Sequence, residues 1–171
     1  MPGLIKAAAH GFAAVEDPFT AIGEGELPPP TGAILMGLER FRREGALLLE
    51  AGRRAGVRVE PGERIEELAY DLGELDLIAL SFPKFRDGRP YSSAALLRRR
   101  YGFKGEIRAV GDVLREQAFE MIRCGFDAFE PADGSTAEDW NRAARRFRYV
   151  YQSAADARPA AFNVRRTAIA V

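Results

Sequence analysis

Polar side chains suited to anion binding follow a buried-looking apolar stretch, residues 77–82, at the point where that stretch ends. Those that could bind or orient an anion are Lys84, Arg86, Asp87, Arg89, Tyr91 and Ser92. Gly88 permits a tight turn, and Ser92 is a residue type that often begins a helix. Free N–H groups at a helix start, beside three cations, would bind phosphate, sulfate, sulfite or a carboxylate. The alternative is structural: Asp87 pairs with Arg89 or Arg86, and Ser92 only caps the helix.

Two carboxylates follow the next apolar stretches. Asp112 comes directly after residues 107–111, with Arg115 close behind it, and Glu130 ends the stretch that begins at Phe126. On one rim with the cations, Asp112 and Glu130 would suit acid–base chemistry on an anionic substrate. The same charges would equally form a salt-bridge network that closes the rim, and Asp112 is more easily explained as a helix N-cap.

Alternating strand and helix patterns must position these residues. Strands are predicted near residues 33–36, 57–60, 77–82, 107–110 and 126–130, with helices between them and a last helix around Trp140. Short βα units of this kind indicate an α/β fold with a mainly parallel five-stranded sheet. Because the carboxyl ends of parallel strands share one edge of the sheet, the polar connections should meet there.

A repeated glycine marks the proposed ends of three helices. Gly56, Gly102 and Gly125 each follow an arginine by two positions and precede a strand pattern. Glycine is the residue that best adopts the left-handed conformation closing a helix. The spacing therefore supports compact, repeated βα units.

The strand patterns do not decide between an open sheet and a partial barrel. Residues 77–82 are uniformly apolar, as expected for a central strand of an open flavodoxin-like sheet. In contrast, Arg58 and Arg108 alternate with apolar neighbours, which suits strands that curl into a partial barrel with a polar interior. Five units are too few for an eight-stranded barrel.

The chain is expected to divide into three parts. Residues 1–32 contain a proline-rich stretch and form an N-terminal arm, in which residues 4–5 and 12–15 pair as a short hairpin. Residues 33–154 form a single α/β domain, and residues 155–171 form a C-terminal tail.

The composition argues against several functional classes. Acidic and basic residues balance at 25 each, which gives no net attraction to nucleic acid or to membranes. With one cysteine, Cys124, and one histidine, His10, no thiolate metal site or iron–sulfur cluster is expected. The chain also has no glycine fingerprint for NAD or FAD, so we expect no cofactor. No apolar run approaches transmembrane length, and residues 1–14 lack the apolar region of a signal peptide, so we expect a cytoplasmic protein.

Three stretches closely resemble a bacterial family known as domain of unknown function 934. They are residues 82–92, 97–115 and 123–130, and the resemblance extends over roughly residues 4–152. The chain departs from the family's usual residues at Ser81 and Glu116. Members of that family typically lie beside genes for assimilatory sulfite reductase, so the resemblance implies a link to sulfur assimilation without implying an activity.

The resemblance implies an accessory protein of sulfite or sulfate reduction, and the lack of cluster ligands and of a nucleotide fingerprint predicts that it does no redox chemistry itself. It would dock to assimilatory sulfite reductase or bind a small oxyanion. The alternatives are a stand-alone enzyme that uses Lys84, Asp112 and Glu130 on an anionic substrate, and a purely structural subunit whose rim charges pair with one another. The oligomeric state is not predicted.

Overall fold

A computed structural model describes residues 3–8, 11–147, 149–156, 158–161 and 163. The strands are β1 (Leu4–Ala8), β2 (Gly11–Val15), β3 (Phe19–Ala21), β4 (Ala33–Gly37), β5 (Ala55–Val59), β6 (Leu77–Phe82), β7 (Glu106–Gly111) and β8 (Ala128–Phe129). The α-helices of this described part are α1 (Leu38–Glu50), α2 (Arg89–Arg99), α3 (Ala118–Cys124) and α4 (Ala137–Ala144). None of these helices combines the length and the apolarity needed to cross a membrane.

The five predicted strands are present and parallel, but the prediction of a five-stranded sheet is wrong. The sheet has eight strands of mixed direction, in the order β2-β1-β8-β7-β6-β5-β4-β3. The three additional strands come from the first 32 residues: β1 and β2 pair as the expected hairpin, and β1 runs antiparallel to β8. β3 runs parallel to β4 at the other edge. These strands are short and rich in alanine, so their sequence pattern is weak.

The sheet is curled into a half-barrel, which decides against the open flavodoxin-like alternative. From β4 to β8 each strand pairs with the next one along the chain, without the reversal of strand order that defines a doubly wound sheet. Right-handed crossovers between such strands put every helix on the same face. Within the described residues, the other face, called the inner face below, is therefore left free of helices.

The link between β2 and β3 shows how far the sheet curls. β2 and β3 lie at opposite ends of the strand order, yet only residues 16–18 connect them. An extended chain spans at most about 3.6 Å per residue, so Val15 and Phe19 are no more than about 14 Å apart. The two edges of the sheet therefore face each other across this link.

The main hydrophobic core lies between the sheet and the helices. Trp140 of α4 stacks on Phe129 of β8, with ring centroids 4.3 Å apart. Tyr91 of α2 packs edge-on against Phe82 and Phe126. Burying one large side chain of this kind contributes about 1.5–3 kcal/mol, so these contacts hold the helices on the outside of the half-barrel.

Several predicted helices begin or end elsewhere. The stretch after Arg64 forms a 3₁₀ turn, Ile65–Leu68, rather than the helix its apolar spacing predicted. The helix predicted from Asp112 is a 3₁₀ turn, Arg115–Gln117, followed by α3. Gly125 closes α3 with φ of 107°, as predicted, and Gly102 also has positive φ. Gly56 does not end a helix: it lies within β5.

Candidate functional site

A row of cations crosses the inner face at one level of the sheet. Strand register aligns six residues on neighbouring strands from β4 to β1, in which three long cations alternate with small residues: Gly37, Arg58, Ala79, Arg108, Ala128 and Lys6. Since neighbouring strands are about 4.8 Å apart, each cation lies about 10 Å from the next at the backbone. The small residues between them leave room for the long side chains.

Arg108 is the buried centre of this row. Its side chain is 0% exposed, and three carboxylates surround it. Nε donates to Glu106 at 2.7 Å, and Nη1 donates to Asp17 at 2.6 Å and to Glu130 at 3.0 Å. Nη2 donates to the second oxygen of Asp17 at 3.0 Å. Glu106 also accepts from Lys6 Nζ at 2.7 Å, so the network spans three strands.

The buried network holds Arg108 as a cation. Burial acts to lower the pKa of Arg108, but its bonds with Asp17 and Glu106 outweigh burial and raise the pKa above its ordinary value. A buried charge is tolerated when its partners satisfy its hydrogen bonds, as they do here. Arg108 therefore has little donor capacity left for a ligand while Asp17 stays in place.

Arg58 differs from Arg108 because it reaches solvent. Its side chain is 47% exposed, and Nε donates to Glu60 at 2.8 Å. Nη2 donates to the buried hydroxyl of Ser81 at 3.1 Å, which fixes the direction of the guanidinium. Within the described part of the chain, Nη1 has no acceptor. Arg58 can thus offer two N–H groups to an anion.

A cavity of about 1000 Å³ lies beside Arg58. Its wall includes the carboxyl ends of β4 and β7, at Gly37 and Val110, together with Asp17 and Glu130. Apolar side chains of β3 and β4 complete much of the wall. A mostly apolar cavity with a few convergent polar groups is the usual form of a small-molecule site.

The connection after β6 is arranged differently from the predicted anion site. Asp87 accepts from the backbone N–H and from the guanidinium of Arg89, so its carboxylate occupies the start of α2. These bonds lower the pKa of Asp87, led by the side-chain bond with Arg89. Ser92 lies inside α2 and is not its N-cap, which is Gly88. In the described part of the chain, the side chains of Lys84 and Arg86 have no hydrogen-bond or ion-pair partner.

The predicted rim residues do not all converge. Asp112 does not cap a helix; it accepts from the Phe85 N–H at 2.8 Å and ties β7 to the connection after β6. Glu130 instead joins the Arg108 network on the inner face. Arg115 pairs with Glu116 and lines a separate cavity beside α3 and α4. Tyr91 packs in the core, and His10, which was not expected to be catalytic, lies outside the described residues.

Sequence reasoning missed Lys6, Asp17, Arg58 and Arg108 as site residues. The alternation around Arg58 and Arg108 did indicate a polar interior, and that signal could have identified both. Asp17 and Lys6 gave no local signal, because their partners Arg108 and Glu106 are 91 and 100 positions away.

The structure therefore defines an α/β half-barrel with charged residues on its inner face and a cavity at the carboxyl ends of its strands. The model of a family described as "Bacterial protein of unknown function (DUF934)" matches residues 56–162. This match covers more than half of the chain, so the protein belongs to that family. A search of curated proteins found no match to the chain.

Proposed function

We propose that this protein is a non-redox accessory protein of assimilatory sulfite reduction in the cytoplasm, and that its inner-face cavity binds a small oxyanion. The observation that carries the binding proposal is the free Nη1 of Arg58 at the wall of an open cavity. The link to sulfite reduction is supported by the family resemblance. Sulfite and sulfate are therefore the first ligands to test. Assimilatory sulfite reductase is the corresponding partner.

The position of Arg58 supports anion binding on physical grounds. A charge-assisted hydrogen bond contributes about 1.5–3 kcal/mol before desolvation is subtracted, and the exposure of Arg58 reduces that figure. One guanidinium with two free donors would therefore support micromolar to millimolar affinity at most. Glu60, the exposed partner of Arg58, is the group that an incoming anion would replace.

A titration with sulfite, sulfate and phosphate, followed by calorimetry at low ionic strength, tests the proposal. We expect Arg58→Gln to weaken binding by about tenfold or more, because it removes the charge and the free donors. Arg142→Gln on α4 removes the same charge from an exposed arginine outside the cavity, and its affinity should match that of the unchanged protein. Equal affinities in all three proteins would refute binding at Arg58.

The Arg89→Gln variant tests whether the anion binds at the connection after β6 instead of in the cavity. If Arg89→Gln abolishes binding and Arg58→Gln does not, the oxyanion site is the rim formed by Lys84, Arg86 and Arg89. If no protein binds an anion at millimolar concentration, the charges act only within the fold. That result would favour the structural-subunit alternative, whose support is the pairing of Asp87 with Arg89 and the full set of partners around Arg108.

A further inference from the structure

We infer that Arg108 is a second anion-binding position of the same cavity and that Asp17 occupies it as an internal substitute for a ligand carboxylate. This inference rests on the proposed binding at Arg58. The two oxygens of Asp17 accept from Nη1 and Nη2 of Arg108 at 2.6 and 3.0 Å. Two parallel bonds of this kind are the arrangement in which arginine binds carboxylate or phosphate ligands.

Asp17 differs from the other two carboxylates around Arg108. Glu106 is buried and lies on the same strand as Arg108. Glu130 is 32% exposed and also lines the cavity, but its backbone N–H donates to the Ala109 carbonyl of β7, and its side chain accepts only one bond from Arg108. Asp17 lies in the three-residue link between β2 and β3, outside any strand. Its side chain is 35% exposed and forms part of the cavity wall, whereas Arg108 is fully covered. Asp17 is thus a solvent-side partner of Arg108 that no strand pairing holds in place.

Exchange of Asp17 for a ligand would leave no buried charge unpaired. Arg108 keeps its bonds with Glu106 and Glu130, and a negatively charged group of the ligand replaces the Asp17 carboxylate. After its release, Asp17 Oδ1 still accepts from the N–H of Phe19, the first residue of β3, at 3.0 Å. Because its carboxylate already reaches water, its rehydration needs no opening of the core.

The spacing of the two arginines defines the class of ligand. Arg58 and Arg108 are at the same level of the sheet, with the small side chain of Ala79 between them. Two strand spacings separate them by about 10 Å at the backbone. The cavity would therefore prefer a small organic molecule with two anionic groups, such as a dicarboxylate, over an anion with one group.

Asp17→Asn tests whether Asp17 competes with the ligand. The substitution removes the charge and keeps an oxygen that can accept from the Phe19 N–H. We expect the affinity for adipate, measured by calorimetry, to rise about tenfold or more, because adipate no longer displaces a carboxylate. The affinity for butyrate, which has one carboxylate, should rise less. Glu16→Gln removes the same charge from another residue of the cavity wall and should raise either affinity by much less than Asp17→Asn does, because the bonds of Arg108 in the described structure go to Asp17, Glu106 and Glu130.

A rise of equal size in Glu16→Gln would overturn the inference, because it would reflect only the net charge near the cavity. Unchanged or weaker adipate binding in Asp17→Asn would overturn it as well. Asp17→Ser, whose hydroxyl can accept from the Phe19 N–H, replaces Asp17→Asn if that variant does not fold. The same outcomes apply to it.

The experiment also distinguishes this inference from the proposed function. If the unchanged protein binds anions through Arg58 and Asp17→Asn binds them equally, the proposed function stands and the inference fails. If only Asp17→Asn binds, Asp17 blocks the site as inferred, and oxyanion binding by the unchanged protein fails. If neither protein binds sulfite, sulfate, adipate or butyrate, both proposals fail.

Discussion

Two arginines at one level of the sheet have different chemistry because their surroundings differ. Arg108 is fully covered and shares its donors among three carboxylates. Arg58, two strands away, has one exposed carboxylate partner and a hydroxyl partner, so part of its guanidinium stays free. Burial and partners, rather than residue type, therefore decide which arginine is ready to bind an anion.

Tyr91, which the sequence placed in the anion site, behaves as a core residue. Burial raises the pKa of Tyr91, and the opposing bond with Gln117 is weaker. Above about pH 10 a tyrosine ionises in the unfolded chain but resists ionisation when buried, so the free energy of unfolding falls as pH rises. We expect the free energy of unfolding of Tyr91→Phe to fall less steeply at high pH than that of the unchanged protein. Urea unfolding between about pH 8 and 11 measures this difference.

Tyr70→Phe is the matched control, since Tyr70 is 98% exposed. Its decline at high pH should equal that of the unchanged protein. Burial also raises the pKa of Cys124, which all three proteins contain, and the charge of this thiol is one of the smaller causes that raise the pKa of Tyr91. Parallel curves for Tyr91→Phe and the unchanged protein would show that Tyr91 does not titrate differently on folding.

At the scale of elements, the connection between β6 and α2 is held in a defined shape. Asp112 accepts from the backbone N–H of Phe85, and Gln117 Nε2 donates to the Phe85 carbonyl at 3.1 Å. The Phe85 ring stays 43% exposed, between the exposed cations Lys84 and Arg86. An aromatic ring beside unpaired cations suits contact with an acidic surface, so this connection is where the proposed docking to sulfite reductase can be tested.

A double substitution in this connection tests the partner. We expect this protein to co-elute with purified assimilatory sulfite reductase in size-exclusion chromatography, and Lys84→Glu with Arg86→Glu to abolish co-elution, because like charges then face each other. Arg99→Glu with Arg100→Glu makes the same charge change at the other end of α2 and should leave co-elution intact. Loss of co-elution in both double variants would indicate attraction by net charge only, and no co-elution of the unchanged protein would remove the reductase as partner.

How much could be predicted from the sequence differs between elements. The five parallel strands were predictable because each is a short stretch, uniformly or alternately apolar, between charged or glycine-rich connections. Gly56 was misplaced because the same Arg-x-Gly pattern precedes it as precedes Gly102 and Gly125. In the structure, a Cβ on Gly56 would lie 3.0 Å from the Leu77 side chain, so close approach of β5 and β6 explains this glycine. Gly52, with φ of 69°, lies where α1 ends.

The candidate site was less predictable than the fold. Local patterns locate the carboxyl ends of strands, and they drew attention to Glu130, which lies in the Arg108 network. They do not reveal which distant charges pair, because Asp17 reaches Arg108 only after the sheet has curled. The Asp87–Arg89 pair, in contrast, is local, and the structural alternative predicted it correctly.

At the scale of the whole molecule, the first 21 residues complete the half-barrel. Lys6 and Asp17 supply a cation and an anion to the network around Arg108, and Phe19 packs over the Arg108 guanidinium at 5.8 Å. These residues belong to β1, which lies next to the edge strand β2, to the link, and to β3 at the other edge of the sheet. The part of the chain that was expected to be only an arm therefore forms one wall of the candidate site.

The strand order has a consequence for the rate at which the chain folds. From β3 to β8 each strand pairs with its neighbour in sequence, whereas β1 pairs with β8 through Ile5 and Phe129, which are 124 positions apart. Contacts between distant residues form late because closing a long loop costs entropy. The transition state should therefore contain β5 to β7 without β1.

Ile5→Ala and Ile78→Ala test this order, since both side chains are buried in the same core. Each should lower the free energy of unfolding by about 2–5 kcal/mol. In stopped-flow measurements we expect Ile5→Ala to speed unfolding, with a φ-value of about 0–0.3, and Ile78→Ala to slow folding, with a φ-value of about 0.5–0.8. A high φ-value at Ile5 would mean that β1 and β8 pair early in folding. With the expected values, the cavity would acquire its Asp17 wall only in the last step of folding.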